Sequence, residues 1–187
     1  MLAGVAALLL TGCAELRDPV ATVRCDPGER ELNRSLVLMA QSVPTAQALP
    51  CLRTAPADWG VMDFAARSGR TRFTLHYLEG SGGEQRGVTV ELTRRCDVRG
   101  ATEVRTEQPG MRQYEHQSRR SGEYRDQRFL VSPGSCVTYR FNLRGVGADQ
   151  QAAQIWDALE LLPREELAAK VRELSDGRLE LDQESDR

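Results

Sequence analysis

The sequence predicts an α+β domain. Helical periodicity at both ends of the chain brackets a middle stretch in which apolar and polar residues alternate, and four cysteines are spaced to brace it. The 187 residues suit one domain of ordinary size with a self-sufficient core, assigned to 26–181, with a polar tail at 182–187.

The first helix is expected to start at Asp26. Asp26 is placed to cap, Pro27 suits the first helical position, and Glu29 is placed to reach back as in a capping box. Leu32, Leu36, Met39 and Val43 then fall on one face, and Pro44 ends the helix. An irregular stretch holding Pro44, Pro50 and Pro56 runs to Gly60.

Beyond it the period becomes two. Phe73, Leu75 and Tyr77 alternate with Arg72, Thr74 and His76; Val88, Val90 and Leu92 with Thr89, Glu91 and Thr93; Val137, Tyr139, Phe141 and Leu143 with Thr138, Arg140 and Asn142. Such strands give a sheet with one buried and one polar face. Weaker strand signals lie at Val61–Ala65, Met111–His116 and Gln127–Val131, which brings the expected count to about five or six. The loop from Gly80 to Arg86 reads as a flexible hairpin connection, and Ser132-Pro133-Gly134-Ser135 as a tight turn. After Gly147, Ala152, Ile155, Leu159 and Leu162 share one face of a second helix that breaks at Pro163. A third, Arg164 to Leu174, carries Leu167, Val171 and Leu174 and stops before Gly177.

The chain opens MLAGVAALLLTGC, too short an apolar run to span a bilayer but of signal-peptide length. Leu10, Thr11, Gly12 and Cys13 resemble the lipobox of bacterial lipoproteins. The resemblance implies that residues 1–12 are removed and that Cys13 is acylated as the new N-terminus, since a thiol is the nucleophile that takes the diacylglyceryl group. Two acyl chains suffice for stable anchoring, and 13–25 would be the tether. No Lys or Arg precedes Arg17, where a basic leader segment is usual, which leaves open a start upstream of Met1.

Without Cys13 the thiols are Cys25, Cys51, Cys96 and Cys136, an even number that suits two disulfides in an oxidising compartment. Cys96 ends one strand-like run and Cys136 opens another, so antiparallel neighbours would join them; Cys25 and Cys51 would then bracket the first helix. No C-x-x-C pair supports a zinc ribbon or a thioredoxin-type site.

Catalytic signals are weak. The two histidines are His76, on the polar face of a strand, and His116, whose neighbour Glu115 points to the opposite face. No G-x-S-x-G, H-E-x-x-H, Walker or Rossmann pattern occurs, and the chain implies no cofactor, metal or catalytic set. Charge is more informative. Residues 52–146 hold 16 Arg against 11 acidic residues, while 147–187 hold 5 basic and 11 acidic. A basic sheet thus meets acidic terminal helices, and Arg72, His76 and Arg140 alternate onto the inferred polar face as candidate binding residues. The overall charge of −2 gives no field for nucleic acid.

Basic charge comes from 24 Arg and one Lys, Lys170, a bias of GC-rich coding. With the lipobox, this resembles lipoproteins of actinobacteria. The stretches AQSVPTAQALPCL, CDVRGA and FLVSPGSCVTYRF are similar to uncharacterised envelope proteins of that group and bring no catalytic residues with them. The expectation is a membrane-anchored, extracytoplasmic binding module for an envelope protein or an anionic ligand. A structural accessory subunit of a membrane complex is one alternative, and a hydrolase using His76 or His116 is another.

Overall fold

Asn33 starts the first helix. In the structure, a computed structural model that describes residues 23–26, 31–77, 87–120 and 123–181, α1 spans Arg34–Ser42. Asn33 Oδ1 accepts from the backbone N–H of Ser35 and of Leu36, at 3.1 and 3.3 Å, so the side-chain cap lies seven residues beyond Asp26. Asp26 lies near Lys170, with Oδ1 3.3 Å from Nζ. Pro27 and Glu29, Cys13 with its leader, the loop at 80–86 and the tail at 182–187 are outside the described residues. Leu36 and Met39 are fully buried, as their spacing requires, and Val43 closes the helix.

The fold is α+β, and the described residues form three helices and nine strands, against an expected five or six strands. A seven-stranded antiparallel sheet has the order β2-β3-β4-β8-β7-β6-β5. Its strands are β2 Trp59–Arg67, β3 Arg70–Tyr77, β4 Gly87–Thr93, β5 Thr102–Val104, β6 Arg112–Arg120, β7 Glu123–Ser132 and β8 Ser135–Arg144. Two meanders, β2-β3-β4 and β5-β6-β7-β8, are joined by pairing β4 with β8. The alternating residues of β3, β4 and β8 behave as their period demands. Phe73, Leu75, Val88, Val90, Leu92, Val137, Tyr139, Phe141 and Leu143 all point into one core.

Three strands are hidden from sequence patterning: β5 lies at the edge of the large sheet, and the other two form a separate ribbon, in which β1 (Ala48–Leu52) pairs antiparallel with β9 (Leu159–Pro163). The second helix, α2 (Ala148–Ala158), ends where Leu159 turns extended, at φ −79° and ψ 136°. Leu159 and Leu162 therefore lie on a strand and not on the helical face that their spacing suggests. α3 (Arg164–Leu174) follows directly. α1 contacts β1, β2 and β3; α2 contacts β7, β8 and β9; α3 contacts α1 and β9.

Two disulfides fasten this arrangement, Cys25–Cys51 and Cys96–Cys136. Cys25 sits in an extended segment alongside β1, where Val23 is fully buried and Arg24 bridges Leu52. Residues 23–25, which the sequence reading gives to the tether, are thus part of the domain. The β7–β8 turn brings Gly134, at φ +79°, against the loop after α1: Thr45 Oγ1 donates to Gly134 C=O at 2.5 Å. A Cβ on Gly134 would lie 3.0 Å from Thr45 Cβ, so both conformation and space call for glycine.

Candidate functional site

Register puts Arg72, His76 and Arg140 on the same face of the large sheet, the one turned away from the helices. Arg72 pairs across β3–β4 with Glu91, and Thr89, the next residue on that face of β4, pairs with Arg140 of β8. The face is not uniformly open. Glu91 is almost buried, its side chain 8% exposed, and one carboxylate serves two guanidinium groups. Its Oε1 lies 2.6 Å from Arg70 Nε, and its Oε2 accepts from Arg140 Nη1 at 2.7 Å. Arg140 is therefore neutralised in place. Arg72 and Arg67 are exposed and, among the described residues, have no ion-pair or hydrogen-bond partner. With Arg70 and Ala65 they frame a small cleft of about 190 Å³. The missed members, Arg67 and Arg70, are legible in hindsight as RSGR, a tight turn with an arginine on each side.

His76 sits at the edge of this region with its side chain 19% exposed, less open than a polar strand face suggests. Its Nε2 is 3.6 Å from Asp63 Oδ2, beyond hydrogen-bond range. Asp63 is held there by a β-bulge between Met62 and Ala65 and has a φ of +55°. His116 is exposed on β6, opposite Gln127. Four strand spacings separate β3 from β6, about 19 Å, so the two histidines do not share a site. Glu115 faces the other way, 3.7 Å from Arg128, as alternation requires. Among the described residues no His, Cys, Asp and Glu group is arranged to hold a metal.

No protein-family model, curated protein or solved structure matches this chain. Function therefore has to be read from its own side chains.

On this face the connection from β4 to β5 is tied to β8 by Cys96–Cys136. Cys136 is paired with Thr93, so it lies on the face opposite the main core, and with Phe129 and Thr138 it is nevertheless buried. Asp97 and Arg99, within the connection, make a two-pronged ion pair. Arg99 Nε and Nη2 reach Asp97 Oδ2 at 2.9 and 2.5 Å. The Arg99 side chain, followed by its backbone N–H, holds the Asp97 carboxyl down at about 2.

The opposite, helix-facing side carries a polar cluster that sequence patterning does not reveal. Asp126 Oδ2 accepts from Tyr124 Oη at 2.9 Å and from Arg128 Nε at 2.7 Å. Arg128 Cζ lies 4.3 Å from the Trp156 ring centroid, a cation–π distance. Burial pushes the Tyr124 phenol up, keeping it a neutral donor.

Proposed function

We propose that this protein is a lipid-anchored, extracytoplasmic binding module of a bacterial envelope, and that it takes an anionic partner at the Arg67–Arg72 side of the sheet. The observation that carries the binding site is a contrast of charge. Arg70 and Arg140 are matched by Glu91, whereas Arg67 and Arg72 beside them are exposed and unmatched. Arginine suits such a partner because its planar fork meets carboxylate or phosphate oxygens two at a time. The address rests on the lipobox ending at Cys13, and two disulfides are in keeping with an oxidising compartment.

Two measurements test the reading. Cys13→Ala should abolish acylation and release the protein from membranes; a processed product that stays membrane-bound would refute the anchor. A photo-crosslinker at Ser68, in the turn between the two arginines, should capture one predominant envelope component from living cells. Arg67→Glu with Arg72→Glu should abolish that adduct, and an unchanged adduct would refute the site. The rival hydrolase reading draws on the nearness of Asp63 and His76. Replacing His76 and His116 together separates the two, because binding at the arginines survives that change and a histidine-dependent reaction does not.

A further inference from the structure

The ribbon has an outer edge that no described strand covers. Among the described residues β9 pairs only with β1, and the phase of that ladder follows from its two ends. Arg53 N–H donates to Ala158 C=O at 2.9 Å, and Arg164 N–H to Gln47 C=O at 2.7 Å. Hydrogen-bonded rungs alternate with non-bonded ones in an antiparallel pair, so Cys51↔Glu160 and Leu49↔Leu162 are bonded rungs, and Pro50↔Leu161 and Leu52↔Leu159 are not. Pro50, which has no N–H, occupies a non-bonded rung, as its chemistry requires. Leu52 obeys the same phase from the other side, donating to Val23 C=O at 2.8 Å and accepting from Cys25 N–H at 2.9 Å. Leu161 must then turn both its N–H and its C=O away from β1. Among the described residues no hydrogen bond meets either group.

This edge is one wall of a cleft of about 390 Å³, large enough for a bound segment. Leu159, Glu160 and Leu161 form the wall, Gln113 of β6 lies among the other lining residues, and the half-buried Trp156 supplies apolar surface beside the buried Tyr139. Trp156 is held firmly, with its ring edge-on to Tyr139 at 5.2 Å and Arg128 against its face. Residues 23–25 occupy the far edge of β1, where Arg24 bridges Leu52.

We infer that β9 receives an extended segment of a partner protein as an added strand. Backbone bonds to Leu161 fix the segment, and its alternate apolar side chains rest on Trp156 and Leu161. This surface is distinct from the arginine cleft.

The test uses the full-length chain in a mild non-ionic detergent and a dye-labelled peptide that alternates Val and Thr over about eight residues, a usual strand length, with Lys at its ends. Fluorescence anisotropy should show saturable binding. N-methylating the amides along one edge of the peptide should abolish it, while methylating the other edge should not. Leu161→Pro removes an outward N–H without touching the bonded rungs, and should weaken binding about tenfold at unchanged circular dichroism. Arg67→Glu with Arg72→Glu should leave peptide binding unaltered, which separates this inference from the proposed function. Absence of saturable binding, or equal binding of both methylated peptides, would overturn it. So would concentration-dependent self-association lost in Leu161→Pro, since that assigns the edge to a second copy. The methylated peptides decide the matter even if Leu161→Pro does not fold.

Discussion

Arg140 Nη1 donates to Glu91 Oε2 at 2.7 Å across the β4–β8 ladder, and this bond sets how much positive charge the sheet face displays. Glu91 also holds Arg70, so one nearly buried anion restrains two half-exposed cations. Glu91→Ala should lower the unfolding free energy by about 1–3 kcal/mol in urea titration, toward the low end because water screens both guanidinium groups. Arg140→Ala should cost less, since Glu91 keeps Arg70. Equal losses for the two variants would contradict a shared carboxylate. Glu91→Gln should strengthen capture of an anionic partner by leaving both arginines unmatched.

The Asp97–Arg99 pair makes a pH prediction with a definite sign. Its carboxyl sits at about 2 in the folded chain, below the ordinary 3.8, so the folded state favours the ionised form. The contribution is present above the ordinary value and is lost as pH falls from near 4 through about 2. A carboxyl-detected NMR titration should give that low midpoint, and Arg99→Ala should return it toward 3.8. A midpoint unmoved by the substitution would mean that Arg99 is not the cause. Both side chains are more than half exposed, so high salt should also raise the midpoint.

How legible these features are depends on the reach of the interaction that makes them. The α+β class, the strands β3, β4 and β8 and the bounds of α3 follow from periodicity, because burial of one face is written locally in residues such as Phe73, Leu75, Val88 and Val90. The ribbon is different. Leu159 and Leu162 fit a helix until β1 offers a partner, and β1 itself contains Pro50, whose lost N–H is harmless only at a non-bonded rung. Asp26 has every local mark of a cap, yet the cap that forms is Asn33, whose Nδ2 also donates to Arg24 C=O at 2.8 Å. At the site, alternation places Arg72, His76 and Arg140 on one face. It does not say that Glu91 would bury beneath two arginines, nor that Asp63 would bulge toward His76, because both depend on cross-strand partners.

Beneath the sheet, Asp126 is the residue on which Arg128 and Tyr124 depend. Its side chain is 1% exposed, and its second oxygen, Oδ1, is buried without a hydrogen-bond partner among the described residues. Asp126→Ala should destabilise by about 3 kcal/mol, because Arg128 is left largely buried with the neutral Tyr124 hydroxyl at 3.0 Å and Glu115 as the remaining nearby carboxylate, at 3.7 Å. The Trp156 emission should shift as the guanidinium moves off its ring. A loss under about 1 kcal/mol would show that water reaches this cluster and that the charge is not truly desolvated.

The two disulfides should differ in what they release. Chain-entropy arguments give about 3.5 kcal/mol for Cys25–Cys51 and about 4 kcal/mol for Cys96–Cys136, from sequence separations of 26 and 40. Local consequences separate them more sharply. Removing Cys25–Cys51 unfastens the segment that carries Val23, whose full burial contributes about 1.5–3 kcal/mol more. Removing Cys96–Cys136 frees the 94–101 connection from β8, on the sheet face that holds the buried Phe129, and should leave the main core intact, since Phe129 lies outside it. Paired Cys→Ser variants followed by hydrogen exchange should therefore show faster exchange at Leu52 and Cys25 in the first case, and near Phe129 and Thr138 in the second. If each variant loosened the same amides, the two bonds would be bracing one cooperative unit and not two separate parts of the fold.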